Sequence, residues 1–326
     1  MVDHPILGDA CPILAEITEI ASYEEVAGST IGEKMGKMLA TADVLGYVDL
    51  RQENKPFLEL LVPPCSGCRV YIPLKKFLED ILNRNAKGEV PKIPFQFGLY
   101  QAASAEEQQN NGRATCLLDA QTFISKHTII TAVAEAGKTY TAKLLMKEIA
   151  AKTQTQIVVF DVFNEYADTV KPVELTAKMD KEALAREIKK NPSTSLTTLG
   201  LTLQEKRGIY LGALESLLKL RLEEKIPSLL LFIEDADSLK GEALNQMVAE
   251  GRKIGIYICL ITTCPSTLGG KILSQLGNQI IGKTTGKEDL EALAYMAGTA
   301  NLSKLMFSEW IVNGISASGP MKVTVK

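Results

Sequence analysis

Apolar and polar residues follow two different patterns along the chain, and the change lies near residue 101. Before it, short apolar or alternating runs are separated by turn-forming glycine, proline, asparagine and serine. These runs predict β-strands, at Pro12–Ile20, Lys37–Leu39, Ala42–Leu50, Pro56–Val62 and Arg69–Pro73. Closely spaced strands are typical of small barrels, so we expect a β-rich barrel domain over residues 1–101, interrupted by a helix at Leu74–Arg84.

Residues 102–114 are polar and lack periodicity, which predicts a linker between two domains. Beyond them, apolar runs predict buried strands, at His127–Ile130, Gln156–Asp161, Ser228–Ile233, Ile256–Thr262, Gln279–Ile281, Trp310–Val312 and Met321–Val325. Helical patterns fall between most of them, at Lys138–Ala151, Lys181–Lys190, Gln204–Glu224, Glu242–Gly251 and Lys287–Met296, with a short segment around Leu273–Gln275. This alternation predicts an α/β domain with a parallel-type sheet over residues 115–326.

The composition is that of an ordinary globular protein, because 46% of the 326 residues are hydrophobic and 23% are charged. A net charge of −3 gives no general attraction for nucleic acid, so a DNA site requires a local basic surface or a ring formed by oligomerisation. No apolar run is long enough to span a bilayer, and the N-terminal stretch lacks the pattern of a signal peptide. We therefore expect a cytoplasmic protein without membrane contact.

The six cysteines are scattered, and only Cys65 and Cys68 form a CxxC pair. A structural zinc site needs four ligands, and the chain has only His4 and His127 besides distant cysteines. The pattern favours a turn in a reduced protein, while zinc binding or redox chemistry at Cys65 and Cys68 is the alternative.

The stretch Thr131–Thr141 carries the clearest chemistry, because a tight loop and the sequence Gly-Lys-Thr lie between a strand and a helix. This arrangement is the phosphate-binding P-loop, in which Lys138 would reach the β- and γ-phosphates and Thr139 would ligate Mg²⁺. The consensus has glycine where Ala132 stands and usually a small residue at Glu135. The residues predicted to bind the nucleotide are Ala132, Ala134, Glu135, Ala136, Gly137, Lys138, Thr139 and Tyr140.

A P-loop requires a second strand that ends in acids, one for the metal and one for the attacking water. Ser228–Ile233 runs directly into Glu234 and Asp235, which we assign to the metal and to the water respectively. Most enzymes of this type have aspartate first and glutamate second, so the order here is inverted. Because an error of about 1 Å at a reacting atom can cost roughly 100-fold in rate, the inversion should affect hydrolysis more than binding.

Several further motifs occur in a characteristic order. They are the LDA sequence at 118–120, FDVFNEY at 160–166, EGRKIG at 250–255, LSQ at 273–275 and NQII at 278–281. Together with the P-loop and the closing strands, they resemble the motifs of the archaeal bipolar DNA helicase HerA over most of residues 115–326. The N-terminal β-rich part resembles the small barrel that precedes the ATPase core in that family.

The resemblance to HerA implies a RecA-like ATPase core that assembles as a hexameric ring around double-stranded DNA. It further implies ATP and Mg²⁺ bound between neighbouring subunits, and work with a NurA-like nuclease in DNA end processing. Arg252 matches the arginine of the family that acts in trans on the γ-phosphate of a neighbour. Without the resemblance, Arg252 would be interpreted as a surface residue in an ion pair. Thr263 stands where the family has a glutamine, a candidate γ-phosphate sensor.

The departures from the family pattern surround the expected nucleotide site. Ala132 would be strained if its position requires a positive φ, and Glu135 places a carboxylate near the phosphates unless it points to solvent. The inverted acids and Thr263 add to these changes. Two functions therefore remain open: a slow ATP-driven translocase, or a non-hydrolysing nucleotide-binding or structural subunit that scaffolds a ring or a nuclease.

Overall fold

The computed structural model describes residues 1–23, 37–100, 113–176, 179–198, 200–298 and 300–325. Most of the predicted linker, residues 101–112, lies outside the described residues. Within the described part of the chain, no helix is both long and apolar enough to cross a membrane.

The described strands are β1 to β14 in chain order: Val2–His4, Gly8–Tyr23, Lys37–Tyr47, Pro94–Tyr100, Thr115–Asp119, His127–Thr131, Gln156–Asp161, Lys171–Glu174, Ser193–Thr197, Leu229–Ile233, Ile256–Thr262, Leu276–Ile281, Glu309–Gly314 and Met321–Thr324. The α-helices are α1 to α8: Lys75–Leu82, Ala120–Phe123, Lys138–Lys152, Lys181–Lys190, Leu203–Leu222, Glu242–Glu250, Gly270–Leu273 and Lys287–Ala297. Single 3₁₀ turns are formed by Ala236–Leu239, Gly251–Ile254, Pro265–Leu268 and Leu302–Lys304.

Eleven of the described strands form one large sheet in the order β5-β4-β14-β13-β12-β6-β11-β10-β7-β9-β8. The strands from β12 to β8 in this order pair in parallel, whereas β13, β14, β4 and β5 pair antiparallel. The predicted α/β domain with a parallel-type sheet is therefore confirmed. The strand β6, which leads into the P-loop, lies near the middle of the sheet.

Both faces of the parallel strands are buried, which explains why their sequences are continuously apolar. In β10, Leu229, Leu231 and Ile233 pack into the core formed with helices α4, α5, α6 and α8. Leu230 and Phe232 pack into the opposite core, formed with the P-loop helix α3 and Trp310. Because successive side chains of a strand point to opposite faces, one sheet supports two cores and the fold has three layers.

The N-terminal part forms a three-stranded antiparallel sheet of β1, β2 and β3 among the described residues. The predicted strands Pro56–Val62 and Arg69–Pro73 are wrong, because these segments make only the isolated bridges Leu58–Tyr47 and Val70–Val2. Prolines in both segments lack the N–H group that a sheet requires, and they favour irregular backbone. A closed barrel is not confirmed.

Four strands of the large sheet were not predicted from the hydrophobic pattern: β4 and β5 at one side, and β9 and β8 at the other. β4 pairs with the closing strand β14 and with β5 on its other side. β4 belongs to residues 1–101, which we assigned to the N-terminal domain, so a part of that segment is integrated in the large sheet. The domain boundaries themselves remain a prediction.

Candidate nucleotide site

The P-loop lies at the carboxyl end of β6, between the ends of β12 and β11. The strand ends at Thr131, and helix α3 begins at Lys138. Glu135 and Gly137 have φ angles of 62° and 97°. A loop with residues in the left-handed region, followed by the free N–H groups of a first helical turn, forms a concave site for an anion. The local backbone is therefore suited to bind a phosphate.

Lys138 folds back onto the P-loop. Its Nζ donates to the carbonyl oxygens of Ala132 and Val133 at 3.2 and 3.0 Å. Burial lowers the pKa of Lys138, while the carboxylates of Glu234 and Glu165 oppose that decrease. A phosphate in the loop would compete with the two carbonyl groups for the amine.

Two conflicts that we expected at the P-loop, strain at Ala132 and a carboxylate of Glu135 near the phosphates, are not found in the structure. Ala132 does not have a positive φ, so the predicted strain at this position is absent. A Cβ on Gly282 would lie 2.8 Å from the Cβ of Ala132, so a glycine in the neighbouring segment makes room for the alanine. Glu135 is exposed and points to solvent. Of the other loop residues, Ala134 is exposed and Ala136 is buried.

The first turn of α3 places Thr139 beside a carboxylate from another part of the chain. Thr139 Oγ1 donates to Glu165 Oε2 at 2.8 Å. Tyr140, the next residue, is exposed. The hydroxyl that we assigned to Mg²⁺ therefore has a carboxylate within reach that we did not predict.

Asp161 holds the loop that carries Glu165. This buried acid ends β7 and accepts the N–H groups of Glu165 and Tyr166 at 2.8 and 3.0 Å. It also accepts the hydroxyl proton of Ser195 in β9 at 3.0 Å. These bonds fix the backbone of the loop to two strands of the sheet.

Glu234, which we assigned to the metal, is buried and engaged by another side chain. The Tyr166 hydroxyl donates to Glu234 Oε2. Burial raises the pKa of Glu234 to about 7, and the Tyr166 hydrogen bond opposes this rise. The side chain thus titrates near neutral pH, unlike an exposed glutamate.

Asp235, assigned to the attacking water, begins the turn after β10 in a left-handed conformation with φ of 53°. It lines a cavity of about 260 Å³ together with residues from the start of α5, among them Leu203, Lys206 and Arg207. Burial, and secondarily the charge of Asp237, raises the pKa of Asp235. Glu234 and Asp235 therefore have separate surroundings although they are adjacent in sequence.

Thr263 follows β11, whose last residue Thr262 pairs with Thr131 at the start of the P-loop. The structure thus brings Thr263 to the same edge of the sheet as Lys138. Its side chain is exposed, and its hydroxyl oxygen lies 3.6 Å from Cys264 Sγ. The preceding Thr262 is buried and donates to Asp237.

Arg252 lies at the amino end of β11, whereas the P-loop lies at the carboxyl end of the neighbouring parallel strand β6. It is exposed in the 3₁₀ turn that precedes β11, close enough to His127 at the start of β6 to lower the pKa of that histidine. His127 Nδ1 accepts from Ile258 N at 3.0 Å, so its Nε2 carries the proton donated to the Val248 carbonyl. Within one subunit, Arg252 is separated from its own P-loop by the length of the central strands.

Cys65 and Cys68 form a turn, in which Cys68 N donates to the Cys65 carbonyl at 3.3 Å. No group of three or more histidine, cysteine, aspartate or glutamate side chains suited to a metal ion occurs in the described part of the chain. Both ring nitrogens of His127 are hydrogen-bonded to the two backbone groups described above, so neither is available to a metal ion.

The structure therefore brings Lys138, Thr139, Glu234, Asp235 and Thr263 to the carboxyl ends of the central strands. Sequence reasoning did not identify Asp161, Glu165 or Tyr166 as site residues, although FDVFNEY was among the motifs that resembled HerA. The anion-binding loop, Lys138 and Thr139 fit the phosphates and the divalent cation of a bound ATP.

Comparison with known proteins supports the resemblance. Residues 107–223 match the family model for the central domain of helicase HerA. An uncharacterised protein of Aquifex aeolicus is 27% identical over 135 residues, which is 41% of this chain and 45% of that protein. The chain thus matches less than half of that relative's length. The HerA-like character predicted from the ordered motifs is confirmed.

The solved structures found by comparison share little sequence with this chain. VirB4 of Thermoanaerobacter pseudethanolicus gives a TM-score of 0.52 at 12% identity, and covers 72% of this chain and 96% of its own. The DNA-packaging ATPase B204 of Sulfolobus turreted icosahedral virus gives 0.47 at 14% identity, and covers 62% of this chain and 97% of its own. The similarity to VirB4 shows a common fold, in agreement with the predicted RecA-like P-loop core.

Proposed function

We propose that this chain is a HerA-like translocase that uses ATP to move along double-stranded DNA. The observation that carries the proposal is the P-loop, in which Lys138 and Thr139 follow a central strand with an anion-binding backbone. The match of residues 107–223 to the central domain of helicase HerA supports the choice of DNA as the partner. The net charge of −3 requires the DNA to meet a local surface or the interior of a ring.

The proposed assembly is a hexameric ring in the cytoplasm, working with a NurA-like nuclease in DNA end processing. The placement of Arg252 supports a ring, because an exposed guanidinium at the edge opposite the P-loop can reach a phosphate only in another subunit. A guanidinium stabilises the negative charge that develops during phosphoryl transfer. The nucleotide would then lie between neighbours.

The side chains have separate roles in the proposed reaction. Lys138 leaves the carbonyl groups of Ala132 and Val133 and binds the β- and γ-phosphates. Thr139 and Glu234 are the candidate ligands of Mg²⁺, which when bound supplies positive charge to the phosphates. Asp235 is the candidate acid for orienting the attacking water, and Thr263 contacts the γ-phosphate.

A second function, nucleotide binding without hydrolysis, is favoured by one specific observation. Glu234 is buried and bonded to the Tyr166 hydroxyl, with its pKa raised to about 7. An acid so engaged contributes less charge to a metal or to water than a free carboxylate does. In this case the chain would be a structural subunit that scaffolds a ring or a nuclease.

ATP turnover with and without duplex DNA separates the two functions. The translocase should show turnover that DNA stimulates and that Lys138→Ala abolishes. Lys143→Ala is the matched control, because Lys143 lies in the same helix but pairs with the exposed Asp168. Nucleotide binding without any turnover would overturn the translocase and support the scaffold.

A further inference from the structure

The hydroxyl of Thr139 contacts a carboxylate that is not one of the two acids following β10. Thr139 Oγ1 donates to Glu165 Oε2 at 2.8 Å, although the two residues belong to different elements. Glu165 is exposed, so water could satisfy its oxygens without this bond. The contact therefore reflects the position in which the loop after β7 holds the side chain.

The loop holds Glu165 from both sides. Asp161 accepts the N–H group of Glu165 itself, and Asn164 has a φ of 59°, a left-handed conformation that asparagine tolerates better than most residues. On the other side, Tyr166 is completely buried and donates its hydroxyl to Glu234. The backbone that carries the Glu165 carboxylate is thus held by contacts that involve no ligand.

The two acids that follow β10 lie near Lys138, but the contacts described for them are with groups other than Thr139. Glu234 is occupied by the Tyr166 hydroxyl, and Asp235 lines the cavity next to α5. Among these three acids, Glu165 is the one whose oxygen is hydrogen-bonded to Thr139. A hydroxyl that ligates a cation through its oxygen still carries a proton, which needs an acceptor. A carboxylate in this position orients the ligand and increases its affinity for the metal.

We propose that Glu165 is the positioning residue of the cation site, and that it accepts the Thr139 proton so that the hydroxyl oxygen faces a divalent cation. This inference rests on the proposed nucleotide site. The proton of Thr139 is thus accepted by a residue of the loop after β7, and not by one of the acids that follow β10. It explains how Thr139 can be oriented while Glu234 remains bonded to Tyr166.

The test is the effect of Mg²⁺ on the affinity for a β,γ-methylene analogue of ATP, measured in MgCl₂ and in EDTA. Trp310 is the only tryptophan of the chain and packs against the segment beside the P-loop, so its fluorescence provides a direct signal. Calorimetry gives the same affinities independently. The variants are Glu165→Gln and Glu165→Asp, with Asp168→Asn as the control from the same loop, whose carboxylate pairs with Lys143.

The wild type should bind the analogue more tightly with Mg²⁺. Glu165→Gln should lose about 10-fold or more of that gain, the range seen when a partner of a metal ligand is removed, with unchanged affinity in EDTA. Glu165→Asp should retain part of the gain, which a merely structural role would not explain. Circular dichroism checks folding, and Glu165→Asp decides the test if Glu165→Gln unfolds.

Two results would overturn the inference while leaving nucleotide binding intact. One is a Mg²⁺ gain in Glu165→Gln equal to that of the wild type and of Asp168→Asn. The other is wild-type affinity that does not respond to Mg²⁺. Absence of any binding by the wild type would instead remove the proposed nucleotide site itself, together with this inference.

Discussion

At the scale of single residues, Glu135 is the most unusual position of the P-loop. Its φ of 62° lies in the left-handed region, which costs a residue with a Cβ about 1 kcal/mol, and its side chain is exposed. We predict that Glu135→Gly raises the free energy of unfolding by up to about 1 kcal/mol in urea denaturation.

Glu135→Ala is the matched control for this prediction, since it removes the carboxylate but keeps the Cβ. It should not stabilise the protein to a comparable degree. If alanine and glycine gave the same gain, the effect would belong to the charge and not to the backbone conformation.

His127 makes the stability of the fold depend on pH. Burial, with a smaller repulsion from Arg252, lowers the pKa of His127 from 6.5 to about 4. Between these pH values His127 binds a proton in the unfolded chain but not in the folded protein. The free energy of unfolding therefore decreases as the pH falls from about 6.5 towards 4. The full loss corresponds to about 3 kcal/mol.

Urea denaturation between pH 7 and pH 4 checks this effect. We predict that His127→Gln, which cannot titrate, shows a shallower decrease of the unfolding free energy over this range than the wild type. Equal slopes would show that His127 does not cause the acid sensitivity.

At the scale of elements, the loop after β7 depends on one buried acid. Asp161 accepts three hydrogen bonds, from Glu165 N, Tyr166 N and Ser195 Oγ. We predict that Asp161→Ala, which leaves these donors without an acceptor, lowers the free energy of unfolding by roughly 3 kcal/mol. Thermal or urea denaturation measures the loss.

Ser195→Ala provides the comparison for Asp161→Ala. It removes one donor and keeps both bonds to the loop backbone, so its cost should be about 1 kcal/mol. Similar costs for the two variants would contradict the view that Asp161 chiefly holds the loop that carries Glu165.

The hydrophobic pattern predicted the central strands well, because both of their faces are buried. β7 and β11 have the predicted boundaries, and β10 begins one residue later than expected. The pattern did not reveal β9, since Ser193–Thr197 is mostly polar although its last four residues are buried. β4 pairs with β14 across a long separation in sequence, and such pairing leaves no local signal. β5 then pairs with β4 at the edge of the sheet.

The site was predictable to the extent that it is local. Lys138 and Thr139 follow from a continuous motif and lie where the sequence predicts them. The bond from Thr139 to Glu165 joins two segments that only the order of the strands brings together. Likewise, the contact of Tyr166 with Glu234 depends on the parallel pairing of β7 with β10.

At the scale of the whole molecule, the sheet separates two groups that the proposed ATP hydrolysis would need together. The P-loop is at the carboxyl end of β6, whereas Arg252 precedes β11 at the other edge. An arginine finger from one subunit can therefore complete the P-loop of another only if copies of the chain assemble head to tail. Such heterologous contacts close into a ring when the rotation permits it.

The most direct test of this account is the ATP turnover of mixed subunits. Lys138→Ala and Arg252→Ala should each be inactive, whereas a mixed assembly places an intact P-loop next to an intact arginine. With random mixing, roughly a quarter of the sites are intact, and we predict DNA-stimulated turnover near that fraction of the wild-type value. Two different affinity tags establish that the subunits have mixed. No recovered turnover in a mixed assembly, beside an active wild type, would contradict an ATPase ring with shared sites.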